Sequence, residues 1–225
     1  MSTIKDRLTD IRDELGDAHL VAVSKFHSTE RIQEAYDAGQ RMFGESRVQE
    51  LAQKVDKLPT DIEWHFIGTL QRNKVKYIAP YIHTVHSIDR GSLLTELERQ
   101  CERQGRIAPP IRVFLQLHIS GEETKHGFSH EELMSFLEKY PIHELKHTHI
   151  VGLMGMAEYT DDAAVIEQQF ETLHSTLMEL QKSYFRDDPL FCELSMGMSH
   201  DYPLALKHGA TYVRIGTDIF GPREY

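Results

Sequence analysis

The chain has 225 residues, 40% of them apolar and 27% charged, which is the composition of a globular protein long enough for one large core or two small ones. A formal charge of −10 and a pI near 5.8 argue against sequence-independent nucleic-acid binding, although Arg72-Asn73-Lys74-Val75-Lys76 is a local basic patch able to hold a phosphate. No apolar run approaches the roughly 18 residues of a membrane span, Met1-Ser2-Thr3-Ile4-Lys5-Asp6-Arg7 has no signal-peptide core, and Cys101 and Cys192 are too few and too distant for a disulfide framework, so a reduced cytoplasmic protein is expected.

Residues 2–16 place Ile4, Leu8, Ile11 and Leu15 on one helical face and end at Gly16, predicting an N-terminal helix ahead of the first strand. Leu20-Val21-Ala22-Val23-Ser24-Lys25 then reads as a strand buried on both faces, as in a parallel sheet. Thr29 is a candidate N-cap for a helix whose stripe of Ile32, Ala35 and Tyr36 ends at Gly39. Residues 41–46 predict strand two and 48–58 a helix stopped by Pro59. Strand three is 63–68, with a helical segment over 71–78; strand four is 84–89, with a charged amphipathic helix over 92–104. Pro109-Pro110 leads into strand five, 111–119, and Ser129 with Glu132 forms a capping box for the next helix. Strand six is 149–154, followed by a long helix over 161–182 that Asp161-Asp162 would cap; strand seven is 191–196, with a short helix over 204–208; strand eight is 212–216.

Eight strands, each but the last followed by a helical segment, imply parallel pairing through crossovers. The preferred architecture is a single (β/α)8 barrel over 1–225; a doubly wound open sheet is the alternative, because counting strands does not show closure. There is no Gly-x-Gly-x-x-Gly turn and no P-loop, so neither a dinucleotide nor a nucleoside-triphosphate reading has support.

Lys25 stands at the C-terminal tip of the first buried run, where partial desolvation disfavours the charged form and favours the neutral amine that attacks carbonyls. Alone, a strand-end lysine is more often a solvated one. In a barrel, however, sites gather at the C-terminal strand ends and phosphates often sit after strands seven and eight. Here those strands end in Ser195-Met196-Gly197-Met198-Ser199 and Arg214-Ile215-Gly216-Thr217, which supply glycines for close backbone approach and hydroxyls. Each is weak singly, since Gly and Ser are ordinary turn residues. With Lys25 they form an amine facing a phosphate pocket, which points to pyridoxal phosphate.

Several segments resemble the pyridoxal-phosphate homeostasis protein family, relatives of the N-terminal barrel of alanine racemase. They are Val21-Ala22-Val23-Ser24-Lys25, Phe43-Gly44-Glu45, Trp64-His65-Phe66-Ile67-Gly68 with Leu70-Gln71-Arg72-Asn73-Lys74, Leu153-Met154-Gly155-Met156, Leu194 to Ser199, and Val213 to Thr217 with Ile219-Phe220-Gly221. The resemblance implies Lys25 as the residue carrying the cofactor as an internal aldimine, Ser199, Gly216 and Thr217 at the phosphate, and Arg214 near the pyridine nitrogen. It further implies a cofactor carrier acting in vitamin B6 and amino-acid balance, with apo-enzymes that depend on pyridoxal phosphate as recipients. Ser46-Arg47 and His27 depart from the family's pattern, the latter replacing a second lysine found in some relatives, while Lys125 matches a loop lysine of the family. The sequence stops at Tyr225 without the second, β-rich domain that supplies a racemase with its tyrosine base, so a binding protein and a monomer are expected over a racemase or other weak Schiff-base enzyme. His143, His147 and His149 read as a polar loop more readily than as a metal site, and Cys192 as buried and inert. Trp64, Met154, Met156, Met196 and Met198 read as packing.

Overall fold

A computed structural model of the chain describes residues 2–106, 109–121 and 126–222. Eight parallel strands follow one another around a closed barrel: β1 His19–Val23, β2 Met42–Glu45, β3 Glu63–Phe66, β4 Ile82–Ile88, β5 Ile111–Gln116, β6 Thr148–Met154, β7 Glu193–Ser195 and β8 Tyr212–Ile215. Closure is made by β1 against β8, with Leu20 in register with Val213 and Ala22 with Ile215. The open-sheet alternative is thereby set aside. The helices are α1 Ile4–Leu15, α2 Thr29–Asp37, α3 Val48–Val55, α4 Gly91–Arg103, α5 His130–Lys139, α6 Ala163–Lys182, α7 Tyr202–Lys207 and α8 Thr217–Phe220. None is long and apolar enough to cross a membrane.

The side-chain period of two along a strand divides the core into two layers. On β1, Val21 joins Phe114, Val151, Met154 and Tyr212 inside the barrel, while Leu20 and Ala22 face the helices. The stripe Ile4, Leu8, Ile11 and Leu15 buries α1 against α2 and α8, between a Thr3–Asp6 capping box and Gly16 at φ +58°. Tyr202 ties α7 to α1 by donating its hydroxyl to Glu14 Oε2 at 2.5 Å.

The boundaries differ from the sequence expectations in instructive ways. Ser28, not Thr29, holds the N-cap position of α2. Strand five ends at Gln116, level with Met154 at the end of β6, and beyond it Phe128 bridges the chain by donating to Gln116 O and accepting from His118 N–H. Residues 72–77 form a 3₁₀ turn instead of an α-helix. The last strand does have a helix after it, the four-residue α8, too short to leave a periodic signal. The capping box at Ser129 and Glu132 is present, and Asp162 caps α6 by accepting from Ala164 N–H at 3.0 Å. Trp64 is buried against Phe43, with ring centroids 6.1 Å apart. Cys192 is exposed, not buried as the sequence suggested, because β7 begins one residue later and Cys192 falls in its lead-in loop.

Candidate functional site

Lys25, Ser199, Arg214, Gly216 and Thr217, drawn from three separate strand ends, line one cavity of about 350 Å³ at the C-terminal ends of β1, β7 and β8. That volume falls in the roughly 300–1,000 Å³ range of small-molecule sites. Val23 and Lys25 both line it, so the alternation that puts Val21 inside the barrel carries the lysine on into the mouth. Lys125 lies outside the described residues.

Glycines shape the turns around the cavity at two positions. Gly197 after β7 has φ +91°, and a Cβ there would stand 2.8 Å from Ala205 Cβ and 3.0 Å from Tyr202 Cα. The turn is closed by Arg214 N–H donating to Gly197 O at 3.0 Å and by Met198 N–H donating to Asp201 Oδ1 at 2.5 Å, which sets the direction of Ser199. A Cβ on Gly216 would stand 3.1 Å from Val23 O, a tight approach that shows how closely the turn after β8 lies against the end of β1.

Arg214 is the electrostatic anchor. Its side chain is buried, and burial pulls its pKa down to about 10, which leaves it a cation at neutral pH. One guanidinium nitrogen donates to Ser195 Oγ at 2.6 Å and another to Gly155 O at 3.1 Å. Ser195 Oγ also lies 2.7 Å from His86 Nδ1, and His86 Nε2 lies 2.8 Å from His65 Nδ1. An arginine can only donate, so Ser195 Oγ accepts from Arg214. Ser195, His86 and His65 continue from it as one buried chain of hydrogen bonds, whose direction is set by the tautomers of the two imidazoles. It ends at His65 Nε2, which is buried without a hydrogen-bond partner among the described residues. Both imidazoles are neutral.

Burial keeps them so: it pushes the pKa of His65 down to about 3 and that of His86 well below the usual histidine range. The consequence is an acid-sensitive fold. As pH falls below 6.5 the unfolded chain gains protons that the buried pair refuses, and stability drops by about 1.4 kcal/mol per pH unit per histidine. Glu45 acts in the opposite sense, because burial raises its pKa to about 7, so the native state binds a proton between pH 7 and 4.5 that the unfolded state does not. Two histidines against one carboxyl leave a net loss on acidification, steepest below pH 4.5. Denaturant midpoints measured down that range should fall, and His65→Gln should flatten the slope; a midpoint that rises into acid would contradict neutral histidines.

The sequence missed His65, His86 and Ser195, although a histidine within the apolar runs of β3 and β4 was a usable signal. It also missed His27, Met156, Tyr159, Met198 and His200 as lining of the mouth. His27 is buried and stacks on Phe220 at 4.7 Å, and Tyr159 meets His200 edge-on at 4.9 Å. Met154 and Met196 are core, as expected, whereas Met156 and Met198 belong to the cavity. His149 meets Asp188 at 3.0 Å. A larger, open groove of about 540 Å³ lies between the start of α4 and α5, but its cations Arg90 and Lys139 are exposed and no strand end points an amine into it.

Together, fold and site define a closed parallel (β/α)8 barrel that presents a single described lysine and a buried arginine in its mouth. The chain belongs to the alanine racemase N-terminal domain family, whose profile matches residues 1–224, and within it to the pyridoxal phosphate homeostasis proteins. The pyridoxal phosphate homeostasis protein of Aquifex aeolicus is 39% identical over 209 residues, covering 92% of this chain and 88% of its own. That of Schizosaccharomyces pombe is 36% identical over 233 residues, covering 99% and 94%. The structure of PipY from Synechococcus elongatus with pyridoxal phosphate bound is similar with a TM-score of 0.86 at 36% identity, over 97% of this chain and 100% of PipY.

Proposed function

We propose that this protein binds pyridoxal 5′-phosphate, holds it covalently on Lys25, and serves intracellular vitamin B6 and amino-acid homeostasis as a carrier. The observation that carries this is the convergence of Lys25, buried Arg214 and the hydroxyl-bearing turns at Ser199 and Thr217 on one cavity. The residues fit the cofactor: an amine for the aldehyde, a cation for the ring nitrogen, and two glycine-shaped turns with hydroxyls for the phosphate. Similarity to relatives named for pyridoxal phosphate homeostasis, and to PipY with the cofactor bound, supports the same reading. Residues 1–225 act as one unit, a cytoplasmic monomer that passes the cofactor to apo-enzymes requiring it.

Bound there, the cofactor supplies an aldehyde carbon that can be exchanged between amines. Lys25 would hold the cofactor there through its Nζ, an amine joined to the aldehyde carbon with loss of one water. Arg214 stays cationic and donor-only, which keeps a facing ring nitrogen unprotonated and weakens the ring as an electron sink. Ser199, Gly216 and Thr217 hold the phosphate. This assignment favours storage and transfer over racemisation.

The test is an absorbance titration of purified protein with pyridoxal 5′-phosphate. A visible band that saturates and that borohydride bleaches is expected, without stereochemical turnover of amino acids; a protein that stays colourless would overturn the proposal, and turnover abolished by Lys25→Ala would replace a carrier by an enzyme. Ser199→Ala separates grip from attachment. It should weaken retention by roughly 5- to 10-fold, as for the loss of a hydrogen bond worth about 1 kcal/mol, while the band still forms. Unchanged retention in dialysis would remove Ser199 from the phosphate site.

A further inference from the structure

A buried ion cluster lies behind Lys25, and it uses residues that neither the cavity nor the cofactor assignment explains. Lys54 on α3 is 6% exposed, and its ammonium donates to Ser24 O at 2.9 Å, Glu45 Oε1 at 2.8 Å and Glu50 Oε1 at 2.6 Å. Those three acceptors use all three of its hydrogens. Glu50 Oε1 also accepts from Phe26 N–H at 2.5 Å, and Glu45 Oε1 from Ser24 Oγ at 2.6 Å. The residues immediately before and after Lys25 are therefore both tied, through the main chain, to one buried cation.

The tie falls where the backbone needs it. Phe26 has φ +68°, the only positive φ of a residue other than glycine among the described residues. That left-handed conformation is a genuine outlier for a bulky side chain and persists only where its surroundings enforce it. The same turn aims Lys25 into the cavity while the Phe26 ring lies under the Arg47 guanidinium, 4.6 Å from it.

Stability alone does not account for the cluster. Val48 and Leu51 make position 54 part of the apolar face of α3, where a leucine would pack. Desolvating an ammonium and two carboxylates is costly, and replacing such ions by apolar residues is often neutral or stabilising. We infer that Lys54, acting through the Ser24 carbonyl and through Glu50 on the Phe26 amide, is the positioning residue for Lys25, locking the strained turn that aims its amine. This rests on Lys25 being the attachment point.

Lys54→Met alone would strand the buried Glu45 and the half-buried Glu50 and could unfold the chain, so the test uses Glu50→Ala, with Glu50→Gln as the conservative rescue and Glu45→Gln/Lys54→Met as the charge-balanced removal. Two quantities are read: amide exchange of Phe26 in the cofactor-free protein, and the rate of covalent attachment of pyridoxal 5′-phosphate at Lys25. In Glu50→Ala the Phe26 amide should exchange at least about tenfold faster with the β5 and β6 amides unchanged, and attachment should slow by about 10- to 100-fold, the cost of a misaimed reacting group. Glu50→Gln, which keeps an acceptor, should restore most of both. Folded Glu50→Ala and Glu45→Gln/Lys54→Met proteins that attach at the wild-type rate would overturn the proposal, as would unchanged Phe26 exchange. Absence of any adduct on wild-type Lys25 would instead defeat the cofactor assignment, and the exchange measurement, which needs no cofactor, tells the two failures apart.

Discussion

Lys25→Ala is expected to abolish the borohydride-reducible band and to weaken retention of pyridoxal 5′-phosphate on the order of 100-fold, about 2.8 kcal/mol at 1.4 kcal/mol per tenfold. Lys25 is the lysine among the described residues lining the cavity, so no described amine can take its place. Lys54, nearby in the fold, is already committed to three acceptors. What remains in the variant is the noncovalent grip of Arg214 and the two turns. The fold should be untouched, because Lys25 is half-buried in a turn past β1 and contributes no strand pairing. Unfolding midpoints of variant and wild type should therefore agree, while equilibrium dialysis separates them. A variant that keeps the band would relocate the attachment.

Gly152→Ala should be the most damaging small substitution in the barrel. Gly152 of β6 is in register with Glu193 of β7, and an added Cβ would stand 1.8 Å from the Glu193 carbonyl oxygen and 2.6 Å from its carbon. No side-chain rotation relieves a clash with backbone, so the β6–β7 pair must part, and with it the short β7 that carries Ser195 and aims the Ser199 turn. The loss should exceed the roughly 1–3 kcal/mol of ordinary overpacking, a large share of the 5–15 kcal/mol that holds a typical domain folded. Gly121→Ala is the control, since its Cβ would meet only the end of the Glu158 side chain at 3.4 Å. A wild-type denaturant midpoint for Gly152→Ala would contradict the β6–β7 register.

Much of this was legible in the sequence because it is local. The stripe in α1, the capping boxes, the apolar strand runs and the order of turns all follow from spacing of neighbours, and the cavity residues sit at strand ends, where a parallel barrel must place them. Barrel closure was not, because it depends on β1 finding β8 across the chain. The interior relay was hidden for the same reason: His86 and Ser195 are 109 residues apart, and each looks unremarkable in its own strand. Lys54 shows what a close look could have caught. It lies three residues after Leu51 on the buried face of α3 and four after Glu50, a cation where the pattern asks for an apolar residue. Cys192 was misjudged because exposure at a strand's lead-in turns on a one-residue boundary.

The most direct measurement is borohydride reduction of the cofactor-loaded protein followed by peptide mapping. A single reduced pyridoxyl adduct on Lys25, in the peptide carrying Val23-Ser24-Lys25-Phe26, is the expected result. An adduct on another lysine, or none from a protein that binds the cofactor tightly, would contradict the assignment of Lys25 as the residue that holds it.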